Sequence, residues 1–479
     1  MKLRSTFAML VVLPSLVPAQ SFQDADAYQA WKSTLASTAA AAPAHRSGPA
    51  PSSVLPKGGG QPCDCWVQPD SSYFTIDNNL AWNATGFQNA DDGSHGPIAL
   101  PFPFDLFGTA VDTAYINING NVSFGTPYIS FTSTGFPANT IKLVAPFWAD
   151  VDLRGPGVGN NIVQFKVTPT AMYVNWTNVG YFNQMTDKVN SFQLIITDGI
   201  DPAVSFGNNV SFCYKDMQWT TGAASGGMGG FGGTAASVGV NLGDGVEYAQ
   251  VGRYDAPGIA YDGPFLANDQ VDWLDSTHFL LNIADTAGVP PIFASTYGCD
   301  TVAVQVGQTV QLQMLILAGG PGELVSATAS CGTLNSFVQL NNPVADHIEV
   351  LAQIDAQAQD IGYHQVTYLG QNDDLIPLES TYKVVVEVVP GATALNERGP
   401  IAFSLAPNPA VDQLNILLPD EGAAQVDLME LDGRVIRSVA VTSKPLTLEL
   451  SGLSVGTYMV RVSGAGGSSV QRFVRSTNP

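Results

Sequence analysis

Short runs in which apolar and polar residues alternate recur along most of the chain, separated by clusters of Gly, Pro, Asn and Asp. A period of two puts alternate side chains on opposite faces, which is the signature of a half-buried strand. Tyr115-Ile-Asn-Ile-Asn119 alternates, Gly120-Asn121 turns, and Val122-Ser-Phe124 returns, predicting a hairpin. Further strands are predicted at 162–167, 171–176 and 191–197. A second group follows at 301–306, 309–317, 348–354, 364–369 and 381–389, and about seven short strands fill 401–479. The pattern predicts an all-β protein of several β-sandwich domains in tandem, behind a disordered N-terminal segment.

The beginning of the chain reads differently. Lys2 and Arg4, the apolar run Phe7 to Val17 and the small residue Ala19 have the layout of a secretory signal peptide, here 1–19. Residues 20–60 read as a linker and low-complexity segment, with a short helix predicted in 21–42 and then Pro43, Pro49, Pro51, Pro56 and a run of three glycines; no core role is assigned to them. No later run is apolar and long enough to be a transmembrane helix. The remaining divisions are a β domain at 61–288, a sandwich at 291–390, a linker at 391–400 and a terminal unit at 401–479.

Composition narrows the function classes. Net charge is −22, from 41 acidic and 19 basic residues, so the surface repels phosphate backbones and nucleic acid is excluded as a partner. Only 13% of residues are charged, while there are 48 glycines and 31 prolines, a balance suited to turn-rich β structure. The histidines, at 45, 95, 278, 347 and 364, are scattered and lack metal-ligand spacing. Gly452-Leu-Ser-Val-Gly456 matches a nucleophile elbow in letters alone, because a strand rather than a helix follows it. Gly226-Gly-Met-Gly-Gly-Phe-Gly-Gly233 lacks the Lys-Ser/Thr ending of a phosphate loop and reads as a flexible connection.

The stretch Leu143-Val-Ala-Pro-Phe-Trp-Ala-Asp-Val-Asp-Leu-Arg154 carries the candidate chemistry. In a strand, Asp150 and Asp152 share a face and repel unless compensated. Arg154, on that same face, can compensate them internally; a bound Ca²⁺ is the sharper reading, and Ca²⁺ is the one cofactor the sequence suggests. An EF-hand is excluded, since its twelfth position would be Asn161. Trp148 and Trp176 are expected in the core.

Ala145-Pro-Phe-Trp-Ala-Asp-Val-Asp152 resembles the signature of the nidogen-like (NIDO) extracellular domain, as do Ile116 to Gly125, Val204-Ser-Phe, Gly222 to Gly227 and Ala236 to Gly245. The resemblance covers about 97–263 and implies an extracellular adhesion module without catalytic activity. Residues 291–390 look immunoglobulin-like: Asp360-Ile-Gly362 resembles the approach to a tyrosine corner, with His364 in the tyrosine's place. Residues 401–479 resemble the type A C-terminal sorting domain of the type IX secretion system of Bacteroidetes. The matching residues include Pro407, Asn408, Pro409, Asp412, Gly433, Gly456, Tyr458, Arg472 and Arg475. That resemblance implies the type IX machinery as a partner, a secreted or cell-surface location, and removal of this unit in the linker 391–400.

Export permits disulfides. Cys299 and Cys331 are expected to pair, and Cys213 to pair with Cys63 or Cys65. The functional expectation is a secreted adhesion protein that binds an extracellular protein or glycan through the nidogen-like domain. The rivals are a secreted hydrolase using Asp150 and Asp152, and a structural matrix component with no discrete ligand.

Overall fold

The computed structural model describes residues 25–38, 65–76, 82–84, 90–138, 140–156, 161–204, 207–284, 287–295, 301–391, 401, 403–418, 423–431, 433–442, 444–464 and 467–477. The expected signal peptide, most of the N-terminal linker, Cys63, Cys299 and the linker 392–400 lie outside these residues. The chain divides into two compact units, Met1–Gly391 and Ala392–Pro479.

The first unit is all-β apart from one α-helix and short 3-10 turns among the described residues. One of its sheets runs in the order Asp269–Gln270, Tyr248–Ala256, Ala236–Asn241, Lys142–Trp148, Asn121–Phe124, Thr109–Asn117, Ser94–Leu106. The second begins Phe74–Ile76, Ile162–Val167, Ala171–Tyr181, Met185–Thr197, Val210–Met217, His278–Leu281. The predicted hairpin at Gly120 forms, with Ile116 paired to Val122. Between the sheets, Trp176 stacks on Phe192 at 5.1 Å between ring centroids, and Phe147 meets Phe192 at 5.6 Å. Trp148, next in sequence, points the other way into a small cluster with Ala138, Ile141, Leu143 and Ala145. Both faces of this strand are therefore covered, which is why it reads as a nearly continuous apolar run.

The expected boundary at 288–291 is not a break between sheets. Strand Ile292–Ser295 pairs with His278–Leu281 on one side and Thr309–Leu317 on the other, so the second sheet continues through His347–Asp355 to Phe337–Gln339. A separate sheet, Thr301–Gln305, Glu379–Val389, Gly362–Asn372, Val325–Ser330, belongs to the sandwich at this end. Its core combines Leu312, Met314, Val350, Val366 and Tyr382 with Ala171, Ile195 and Leu280 from the preceding region. His364 does the work of a tyrosine corner, its Nε2 lying 2.5 Å from the Asp360 carbonyl oxygen and its Nδ1 2.9 Å from Thr333 Oγ1.

Disulfide expectations are partly corrected. Cys213 bonds to Cys65, settling the choice left open. Cys331 is a free thiol, so the expected bridge from Cys331 to Cys299 is not formed; the Cys331 Sγ instead lies 3.7 Å from Thr333 Oγ1. The glycine-rich stretch is also not a slack connection. Met228 and Phe231 exchange backbone hydrogen bonds, Thr220 and Thr221 both donate to the Gly230 carbonyl, and Gly232 donates to Asp255.

The second unit holds seven strands among its described residues. Ser404–Ala406, Gln413–Leu417 and Leu446–Glu449 form one sheet; Val435–Ala440, Ala423–Met429, Gly456–Gly464 and Gly467–Arg475 form the other. Leu414, Ile416, Val426, Leu448, Val460 and Phe473 fill the space between them.

Candidate functional site

Asp150 and Asp152 do not lie on one strand face. Strand Lys142–Trp148 ends just before them, and Val151–Asp152 pairs with Ala171–Tyr181 in the opposite sheet. The two aspartates therefore mark the point where the chain crosses between sheets. The turn before this crossing fixes its path. Asn119 Oδ1 accepts the Val151 amide at 3.0 Å, and the Asn119 carbonyl accepts the Ala149 amide at 3.3 Å. Gly120, at φ +72, lies so close that a Cβ there would meet the Phe147 carbonyl oxygen at 1.9 Å.

Asp152 is compensated as the simpler expectation had it. Arg154 Nε and Nη2 donate to its two oxygens at 2.8 and 2.5 Å, and the Arg154 and Gln184 backbone amides each add a bond at 2.9 Å. Asp150 is different. Its compensating cation is neither Arg154 nor Ca²⁺ but the amine of Lys32, from a segment to which the sequence assigned no core role. Lys32 Nζ lies 2.6 Å from Asp150 Oδ1, 2.6 Å from Asp92 Oδ2 and 3.0 Å from Asp91 Oδ2. The ammonium group fills the place between carboxylates that a hard cation would take, so the Ca²⁺ reading of Asp150 and Asp152 does not fit the intact chain.

Lys32 comes from helix Ala25–Thr38. Its alanines favour the helix, and Asp26 in the first turn suits the positive end of the helix dipole. Tyr28 and Lys32, one turn apart on one face, are both fully buried. Tyr28 Oη donates to Asp92 Oδ2 at 2.7 Å, and Gln29 Nε2 to Asp91 Oδ2 at 2.8 Å. The Phe131 and Phe182 ring centroids each lie 4.3 Å from Lys32 Nζ, closing the amine off from water.

Four buried carboxylates here face two cations, the buried Lys32 and the half-buried Arg154. Burial drives the Asp91 carboxyl well above its usual range, with the neighbouring Asp92 adding to the effect. Burial likewise pushes Asp150 up to about 7 against the opposing pull of Lys32. Burial alone would lower the Lys32 amine, but Asp150, Asp91 and Asp92 outweigh it and hold the amine above its ordinary value. Asp150 Oδ2 has no hydrogen-bond partner and faces Gly222, where a Cβ would come within 2.3 Å of it.

Tyr28, Lys32, Asp91 and Asp92 were missed by sequence reasoning. The one local signal was the i, i+4 spacing of Tyr28 and Lys32; nothing local connects them with Asp91, Asp92 and Asp150.

In the second unit, several of the residues that carry the sorting-domain resemblance are tied to the last strand. Asn408 Oδ1 accepts the Val474 amide at 2.9 Å and its Nδ2 donates to the Arg472 carbonyl at 3.3 Å, tying the Pro407-Asn408-Pro409 segment to the last strand. Tyr458 stacks on Phe473 and donates to the Ser454 carbonyl at 2.9 Å. Arg475 donates to the Leu453 carbonyl, and Gly433, at φ +86, closes the hairpin between Ala423–Met429 and Val435–Ala440.

Two stretches of the chain match known families. Residues 69–261 match the NIDO related family, and residues 404–476 match the secretion system C-terminal sorting domain. Human alpha-tectorin is 34% identical over 187 residues, 34% of this chain and 8% of alpha-tectorin. Drosophila melanogaster nidogen is 24% identical over 155 residues, 27% of this chain and 11% of that protein. Caenorhabditis elegans dendrite extension defective protein 1 is 24% identical over 184 residues, 34% of this chain and 14% of that protein. The chain thus spans a small part of each relative's length. It carries a NIDO related domain followed by a type IX sorting domain, and it is an extracellular protein, secreted or held at the cell surface.

Proposed function

We propose that this is a matrix-type adhesion protein, which binds an extracellular protein or glycan through the NIDO related domain and performs no catalysis. The observation that carries the reading is the state of the carboxylates. Asp150 and Asp152 are 1% and 0% exposed and bonded to Lys32 and Arg154, so they serve as a structural joint between sheets. A hydrolase using them would need both carboxyls open to substrate and water. The glycine-rich hairpin supplies a rigid contact point instead, with Met228 59% exposed on a backbone held by hydrogen bonds.

The full chain, tested on arrays of extracellular glycans and matrix proteins, is expected to show saturable binding that weakens in Met228→Asp. Hydrolysis of an array component would favour the enzyme reading. Absence of all binding would favour a structural component without a discrete ligand.

A further inference from the structure

We propose that Lys32 and Asp150 are joined by an intramolecular amide bond, which the folded chain forms for itself between Lys32 Nζ and Asp150 Cγ. The site brings the two groups that would react into contact. A fully buried primary amine lies 2.6 Å from a fully buried carboxyl oxygen, with two more carboxyls in contact and two aromatic rings shutting out water. Acid and amine resist condensation in water because both ionise and because water reverses the reaction. A dry site that holds both in contact removes the reverse reaction, and the carboxylates that keep the amine protonated here are themselves in place to take its proton.

The surrounding bonds assign the roles. Asp92 Oδ2 lies 2.6 Å from Lys32 Nζ, and Asn119 donates to its Oδ1 and Tyr28 to its Oδ2, each at 2.7 Å, which fixes it in the position of a base toward the amine. Asp150 has Lys32 on Oδ1 and nothing on Oδ2, which suits it to be the protonated electrophile. Asp92 removes one proton from the Lys32 ammonium. The amine lone pair then attacks Asp150 Cγ, the Nζ–Cγ bond forms and one Cγ–Oδ bond breaks. The departing hydroxyl leaves as water with a second proton from nitrogen, and the third stays on the amide. Nothing is oxidised or reduced, and no co-reactant is required. The product replaces a buried ion pair with a neutral group that needs less solvation. It also ties the helix Ala25–Thr38 covalently to the crossover, 118 residues away.

Mass spectrometry of the folded, reduced full chain tests this directly. The expected mass, after any terminal processing is assigned, is one water below that of the sequence. Trypsin should leave Lys32 uncut and release the peptide Leu143 to Arg154 as a branch on the peptide that contains Lys32. A linear Leu143 to Arg154 peptide, with Lys32 cleaved normally, overturns the proposal. A branch at Asp91 or Asp92 overturns the assignment to Asp150. Since this measurement needs no variant, a misfolded mutant cannot obscure it. Asp92→Asn, checked for native fold by circular dichroism, should accumulate the linear form; cross-linking at the unmodified rate would remove Asp92 from its role as base.

Discussion

Gly222 shows how narrowly a single residue can be constrained. Its Cα presses on the Asp150 carboxyl, so that an added Cβ would meet Oδ2 at 2.3 Å and Cγ at 2.7 Å. Gly222→Ala is expected to destabilise the first unit by about 1–3 kcal/mol, the usual cost of overpacking, measured as a lowered denaturation midpoint. Asp269 gives a pH effect of known sign. Burial first, then its neighbour Asp262, push its carboxyl up to about 9, although the Asp262 and Arg253 amides each donate to it at 2.9 Å. The folded state thus holds a proton that the unfolded chain releases near pH 4. Its contribution is fully present below that pH and is lost as pH rises toward 9. Asp269→Asn should flatten this part of the Tm–pH profile; an unchanged slope would show that another group is responsible.

Among the elements, the helix Ala25–Thr38 has the largest leverage, because it delivers the one cation that contacts Asp91, Asp92 and Asp150 together. A chain lacking residues 21–60 would bury these carboxylates without Lys32, at a cost of about 3–5 kcal/mol by analogy with broken buried pairs. The same three carboxylates have oxygens within 4.8 Å of one another. Excess Ca²⁺ should therefore raise the Tm of the truncated chain while leaving the intact chain unaffected. A Ca²⁺-dependent Tm in the intact chain would mean that Lys32 does not occupy the site. The Cys65–Cys213 bridge acts on the unfolded state. It spans 148 residues, for which the chain-entropy relation gives about 5 kcal/mol. Cys65→Ser with Cys213→Ser should lower the Tm without altering the native circular dichroism spectrum.

For the whole molecule, the separate cores of the two units matter most. Phe473, Val460 and Leu414 pack within Ala392–Pro479, and the first unit has its own sheets and cores. Deleting Ala392–Pro479 should leave a folded first unit that is stranded in the periplasm, detected by protease protection in whole cells. Normal surface levels of the truncated chain would mean that the terminal unit does not direct export.

Strands could be read from sequence where the period of two was strict. Tyr115 to Phe124 formed its hairpin, and the terminal unit formed its seven strands, because alternation and turn residues are local properties. The Asp152–Arg154 pairing was legible for the same reason, since its partners are two residues apart. Strand Ile292–Ser295 shows where that reading stopped: its pairing on both sides carries one sheet through an expected domain boundary, and no local pattern encodes which edges meet. The sequence likewise pointed to a compensating charge at Asp150, because two carboxylates so close along the chain repel without one; its burial was decided by the tertiary structure. Only tertiary structure decided that Lys32 supplies that charge. The two residues are 118 positions apart, and what selects the partner is the closing of a helix over a crossover between sheets, with Phe131 and Phe182 excluding the water that would otherwise solvate both charges.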